Sequence, residues 1–314
     1  IARKYYKHLA NYRRHCYKNG MDHQTFENYS NKVAAILKRQ LFFVVGCEKS
    51  GTTWLQHMLD AHNEIMCVGE GHYLSNIAAP MQQMINNHNR LIAATNQHVY
   101  GDLQPSYQQL EPEAFHAAIV FNALLAVNRE LSDDIKFFGD KTPVYVSQLP
   151  GLHMLFPKAK IFHIVRDGRD MLVSYVKHRQ RSEPDKQWSY DALVDEMATK
   201  WRDRLQSAKQ FAQQHPALYH EVRYEDLKSD PHTALKAMLT FLGATPSDDM
   251  MEHCINKSAF EAMSKGRKAG ETNNQSFMRK GISGDWRNEL SDDHNKRFIA
   301  IAGDMLSNMG YSHN

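Results

Sequence analysis

The segment LFFVVGCEKSGTTWL, residues 41–55, constrains the fold more than any other stretch of the chain. Its short apolar run, rich in β-branched and aromatic residues, reads as a parallel strand buried on both faces. A loop bounded by Gly46 and Gly51 follows, and a helix is expected over residues 52–61. A strand feeding such a loop and then a helix aims backbone N–H groups at an anion, with the helix dipole behind them. The nucleotide triphosphatase pattern puts lysine directly after the second glycine. Here Thr52 holds that position, and the lysine lies inside the loop as Lys49. The loop therefore points to a phosphate-bearing cofactor that is not simply ATP. A small-molecule kinase stands as the rival reading, weakened by the missing lysine and by the lack of a clear Mg²⁺-binding acidic strand end.

The surrounding pattern extends this unit into an α/β fold. Residues 64–68, 135–139, 160–165 and 218–222 read as further strands. Helical patterns fall between them, including 144–156 and a long region over 75–130 interrupted near 101–106. Alternation of this kind implies a mostly parallel central sheet flanked by helices on both faces. Asp230-Pro231 and Thr245-Pro246 each place an N-cap residue before a helix-starting proline, and Ser291 with Asp292 and Asp293 caps another helix. Residues 1–40 read as a basic helical N-terminal extension, with Tyr5, Leu9, Tyr12 and Cys16 on one face, and residues 41–314 as one domain. The chain begins at Ile1 rather than Met, which leaves room for an upstream signal, anchor or domain.

Composition removes several function classes. A net charge of +3 gives no reason to expect nucleic acid as a partner. No apolar run approaches the ~20 residues that span a bilayer. The four cysteines are scattered, which favours a reducing, cytoplasmic setting over a disulfide framework. The 18 histidines show no metal-binding spacing, so most are expected at the surface and no metal site is expected.

Three segments in order narrow the cofactor: KSGTTW at 49–54, VRDGRDMLVSY at 165–175 and FMRKGISGDW at 277–286, with RYEDL at 223–227 as a weaker fourth. Together they resemble the cofactor motifs of sulfotransferases that use 3′-phosphoadenosine-5′-phosphosulfate (PAPS). The resemblance covers roughly residues 41–290 and implies a P-loop-like sulfotransferase fold. It implies that Lys49, Ser50, Gly51, Thr52 and Thr53 hold the 5′-phosphosulfate and that Trp54 stacks on adenine. Arg166 and Ser174 would bind the 3′-phosphate, completed by Arg279, Lys280 and Gly281, with Tyr224 and Phe260 at the adenine. Each has a plainer alternative: a solvated loop lysine at 49, and core packing for Trp54, Tyr224 and Phe260. Arg169 and Asp170 read as surface or structural pairs, and the aperiodic stretch 265–276 as a flap closing over cofactor, or a static loop.

Transfer to a hydroxyl needs a positioned base. The segment GDKTPV, residues 139–144, looks like the one in which small-molecule sulfotransferases place a histidine, but here that position is Pro143. Residues 59–70 instead resemble the segment of protein-tyrosine and Golgi-type sulfotransferases that ends in a catalytic Glu. Glu70 is therefore the favoured base, with burial expected to raise its pKa above about 4.3, and His72 the second candidate. Lys141 is expected as a second cation near the leaving group, or as the ion-pair partner of Asp140. The acceptor, a glycan, small-molecule, lipid or carrier-bound hydroxyl, is expected between walls 72–107 and 177–190. Pro143 also admits a silent protein that binds cofactor without turnover.

Overall fold

The strand read at residues 41–46 forms, and it lies at the centre of a five-stranded parallel sheet. The computed structural model describes residues 22–100, 107–276 and 278–314. The N-terminal face of Tyr5, Leu9, Tyr12 and Cys16, the interruption at 101–106 and Phe277 lie outside the described residues. The chain runs through α1 (His23–Leu37), β1 (Gln40–Gly46), α2 (Thr52–Asp60), β2 (Ile65–Gly69), α3 (Ala79–Thr95), α4 (Pro112–Leu125), β3 (Phe137–Lys141), α5 (Leu149–Leu155) and β4 (Lys160–Val165). It continues with α6 (Gly168–Ser182), α7 (Tyr190–Gln214), β5 (Tyr219–Arg223), α8 (Tyr224–Ser229), α9 (Pro231–Leu242), α10 (Asp248–Ser258), α11 (Phe260–Met263), α12 (Trp286–Glu289) and α13 (Asp292–Asn308). Strand order is β2-β3-β1-β4-β5, with every pairing parallel.

Alternation along β1 explains its uninterrupted hydrophobicity. Phe42 and Val44 pack with Leu55 and Met58 of α2, Leu239 of α9 and Cys254 of α10. Phe43 and Val45 point the other way, against Tyr145, Leu149 and Leu152, and Phe211 of α7. With both faces covered by helices, the buried stretch 42–45 leaves no position for a polar residue. Phe42, Val44 and Val45 are fully buried, contributing about 1.5–3 kcal/mol each. The α1 helix buries Val33 and Ile36 against Met66 and Phe138 at the far end of the sheet.

One local expectation needs correction. Thr245 does not cap α10; Ser247 does, two residues later. Thr245 is committed elsewhere, its N–H donated to Glu64 at 2.9 Å and its carbonyl 3.0 Å from the His62 ring. Among the described residues, two histidines, His62 and His163, are buried. His163 sits on β4 with Nδ1 2.5 Å from the Tyr219 hydroxyl, and burial pushes its pKa down to about 3, so it is neutral. The caps at Asp230 and Ser291 form as the sequence implies, the latter as a full capping box with His294.

Candidate active site

The parallel register brings four strand ends to one edge of the sheet. Gly46 of β1 pairs with Ile164 of β4, and Gly69 of β2 pairs with Lys141 of β3. Lys49 therefore follows β1, Glu70 follows β2, Arg166 follows β4 and Tyr224 follows β5, all along the carboxyl edge where open α/β sheets bind ligands. A cavity of about 550 Å³ opens there. Lys49, Gly51, Thr52, Thr53, Trp54, Glu70, His72, Arg166, Ser174, Tyr224, Phe260, Arg279, Lys280 and Gly281 all line it.

Ser50 and Lys141 do not. The Ser50 N–H is already donated to the Cys47 carbonyl at 3.1 Å, and its side chain is buried. The anion-facing loop is thus shorter than expected. Lys141 lies beneath the cavity wall and reaches Glu70 Oε1 at 2.5 Å; Asp140 is not its partner. The Asp140 carboxylate instead accepts from the Thr142 hydroxyl at 2.6 Å and the Gly71 N–H at 3.0 Å.

The Lys141 contact overturns the expected pKa of Glu70. Burial does push it up, but the side chain is 48% exposed, and the Lys141 hydrogen bond and charge, with His72, outweigh that push. Glu70 is therefore held below the ordinary carboxylate value. His72 Nε2 lies 3.3 Å from Glu70 Oε2, so the two base candidates form one hydrogen-bonded pair.

The loop is shaped by close approach. Gly51 has φ +99, and a Cβ there would come within 2.7 Å of the Tyr224 ring. Trp54 meets Tyr224 edge-on, with centroids 5.4 Å apart, and the Arg166 guanidinium lies 4.5 Å from the Tyr224 centroid. Arg166 also donates to the Ile282 carbonyl at 2.7 Å and the Lys49 carbonyl at 3.3 Å, while its buried Nε has no partner among the described residues. Arg279 and Lys280 each reach Asp285 at 2.6 Å. The stretch 265–276 is tied to that same loop. Gly270 N–H donates to the Lys280 carbonyl at 2.8 Å and Asn273 N–H to the Arg279 carbonyl at 3.0 Å, and Ala269 lines the cavity.

Cation crowding sets the electrostatics. Burial first, then Arg181, Arg166 and Arg279, push the Lys49 ammonium down to about 8. His178 is driven down to about 4 by burial, then by Lys49, Arg181 and Arg179. Tyr175, His178 and Arg179 also line the cavity, as do Glu48 and Lys228. The sequence reading covered Tyr175 only as the end of its 165–175 motif and His178 and Arg179 only within the acceptor wall 177–190, and it gave Glu48 and Lys228 no role. The signal for three of them was helical spacing: Tyr175, His178 and Arg179 share with Ser174 one face of α6. Glu48 carried no such signal. Arg204 of α7 grips it with both terminal nitrogens, one at 3.1 Å, and donates through Nε to the Ser147 hydroxyl at 3.1 Å.

The description "Sulfotransferase family" belongs to the profile that matches residues 42–249, and the chain belongs to that family. This removes the kinase reading. Sulfotransferase 1A1 of Bos taurus is 27% identical over 177 residues, covering 51% of this chain and 59% of that protein. Protein-tyrosine sulfotransferase 1 of Danio rerio is 24% identical over 290 residues, covering 92% of this chain and 77% of that protein. The match thus spans about three fifths of the first curated relatives. A mouse sulfotransferase complexed with PAP has a similar fold, with a TM-score of 0.53 at 20% identity over 90% of this chain and 91% of that one. The sulfotransferase domain from the Synechococcus PCC 7002 olefin synthase gives 0.51 at 20% identity over 88% and 96%.

Proposed function

We propose that this chain transfers the sulfuryl group of PAPS to a hydroxyl of its acceptor. The observation that carries the reading is one cavity that gathers two neighbouring cation groups and an ionised carboxylate. Lys49 stands at the loop, Arg166, Arg279 and Lys280 form the second group, and Glu70 lies on the same wall. A cofactor with phosphates on both the 3′ and the 5′ oxygens of its ribose needs cations for each. The residues fit it. The volume of about 550 Å³ suits a nucleotide, the first N–H groups of α2 have no partner within the helix, and the buried Nε of Arg166 is unsatisfied.

Lys49 and the backbone of residues 51–53 would hold the 5′-phosphosulfate. Arg166, Ser174, Arg279, Lys280 and Gly281 would hold the 3′-phosphate, and Trp54, Tyr224 and Phe260 the adenine. When bound, PAPS supplies an electrophilic sulfuryl group on a phosphate leaving group. Lys49 stabilises the charge that grows on the oxygen between phosphorus and sulfur, an effect larger in the transition state than before it. Glu70 takes the acceptor's proton; Lys141 holds the carboxylate ionised, and His72 orients its other oxygen. Histidine chemistry at position 143 is replaced by Pro143, which shapes the cavity wall beside Val144. The acceptor is a glycan, small-molecule, lipid or carrier-bound hydroxyl, facing Tyr175, His178 and Arg179. Free, buried Cys47, Cys67 and Cys254 support the reducing, cytoplasmic setting.

Calorimetric titration with 3′-phosphoadenosine-5′-phosphate (PAP), the desulfated product, tests this beside ATP and AMP without metal. Tight binding of PAP alone is the expected result. Equal or tighter ATP binding would refute it. PAP binding without turnover on a broad acceptor panel, and no effect of Glu70→Gln, would leave a silent binding protein.

A further inference from the structure

The cations read as the 3′-phosphate site come from two distant stretches: Arg166 between β4 and α6, and Arg279 with Lys280 before α12. They can grip one phosphate only if those stretches keep a fixed register, and the structure contains a part that fixes it. Asp170 lies on α6, four residues after Arg166 and four before Ser174, and its side chain is 1% exposed. Its Oδ2 accepts the Gly284 N–H at 2.6 Å and its Oδ1 the Trp286 N–H at 3.0 Å. Arg166 Nη2 is 3.6 Å away and itself donates to the Ile282 carbonyl. The residue between the two anchored amides is Asp285, whose oxygens accept from Arg279 and Lys280. One continuous run of bonds thus joins Arg166, Asp170, residues 284–286, Asp285, Arg279 and Lys280.

Neither carboxylate lines the cavity. A negative charge beside an anion site opposes anion binding, so two of them there need a reason beyond charge balance. We propose that Asp170 is a positioning residue for nucleotide selectivity. It locks the helix that begins just after Arg166, and carries Ser174, to the loop carrying Arg279 and Lys280, and so sets discrimination between 3′-phosphorylated and 3′-hydroxyl nucleotides. The inference rests on the PAPS reading above. Asparagine would keep the size of the side chain but turn an amide N–H toward one of the two backbone donors, so one bond is lost and a repulsion takes its place.

Titration of the wild type, Asp170→Asn and Asp285→Asn with PAP and with adenosine 5′-phosphate tests it, with thermal unfolding alongside. Asp170→Asn is expected to weaken PAP about ten- to hundredfold, as loss of hydrogen bonds to a charged group does. Adenosine 5′-phosphate affinity should stay within about twofold, because its phosphate is assigned to Lys49 and residues 51–53, outside the Asp170–Asp285 run. Equal weakening of both nucleotides would mean a general structural role and overturn the proposal, as would unchanged PAP affinity. If Asp170→Asn does not fold, Asp285→Asn carries the test: it removes the charge that Arg279 and Lys280 share while leaving both Asp170 amide bonds in place, and the same selective loss is expected. Tighter PAP binding in Asp285→Asn would identify a carboxylate that competes with phosphate and would also overturn the proposal. A wild type that fails to prefer PAP refutes the cofactor reading itself, and that arm is read before any variant.

Discussion

Replacing Arg204 with methionine should destabilise the protein through a loop residue that sequence inspection passed over. Arg204 is 10% exposed and holds Glu48, 27% exposed, through both terminal nitrogens. Removing one partner of a fully buried ion pair costs about 3–5 kcal/mol, mostly because the other charge is left uncompensated. Glu48 keeps some solvent, which lowers that figure to about 2–3 kcal/mol. At about 2 °C per kcal/mol for a chain of this size, the melting temperature should fall by about 4–6 °C. Thermal unfolding at one scan rate reads this directly. The pH dependence provides a second check. Arg204 holds Glu48 below the ordinary carboxylate value despite burial pushing the other way. A lowered folded-state pKa gives stability that is present above the unfolded value and lost as pH falls through the folded one. The gap between wild type and variant should therefore narrow below about pH 4. The double variant Glu48→Gln with Arg204→Met, having no stranded charge, should recover at least half the loss. A single variant melting within about 1 °C of wild type would refute the reasoning, and so would a double variant no better than the single.

The Lys49 ammonium at about 8 makes a prediction of the opposite sign for binding. The fold favours neutral Lys49, so stability rises with pH between that value and the ordinary ~10.4, but a phosphate wants the cation. PAP affinity should fall up to about tenfold per pH unit above pH 8, and Lys49→Met should flatten the profile; a wild-type profile flat to about pH 9.5 would contradict this. Glu70→Gln should leave the PAP dissociation constant within about twofold while turnover on an acceptor drops about 10²–10⁴-fold. Steady-state kinetics beside calorimetry separates the two quantities, and full turnover would remove Glu70 from the chemistry. Lys141→Met strips Glu70 of its main stabilising cation, so the acid limb of the rate profile should move to higher pH, whereas Lys141→Arg should restore it. An unmoved limb would show that Glu70 is not the titrating base.

Much of this was legible from residues 41–55 alone, because a strand buried on both faces has to be apolar throughout and a glycine-bounded loop before a helix has few other uses. Strand ends fell within two residues of the sequence reading, and β4 at Lys160–Val165 matched it. What could not be read was pairing across the sheet. Nothing local says that Gly69 stands beside Lys141, and from that register follow the Lys141–Glu70 contact and the lowered pKa of Glu70. Without it, burial alone suggested a raised value. The Arg204–Glu48 pair was hidden for the same reason, its partners lying 156 residues apart.

Backbone strain was equally invisible, and it falls on the residues given chemical roles. The non-glycine residues with positive φ among those described are Lys49 (71°), Glu70 (50°), His72 (50°) and Lys265 (62°). The first three line the cavity. Each left-handed residue costs about 1–2 kcal/mol and persists only where its surroundings over-determine it. Those surroundings can be named. Around Lys49, the Ser50 N–H closes on the Cys47 carbonyl and Arg204 pins Glu48. Around Glu70, its own N–H bonds the Lys141 carbonyl at 2.8 Å and the next amide bonds Asp140. Beyond His72, the buried Tyr145 hydroxyl accepts from the Tyr73 N–H and lies 3.4 Å from that of Leu74. Together the three conformations cost about 3–6 kcal/mol, a large share of the net stability of an ordinary domain. A fold that keeps them holds a lysine, a carboxylate and an imidazole on the lining of one cavity. Relaxing any one anchor should therefore loosen a reactive side chain before it unfolds the sheet.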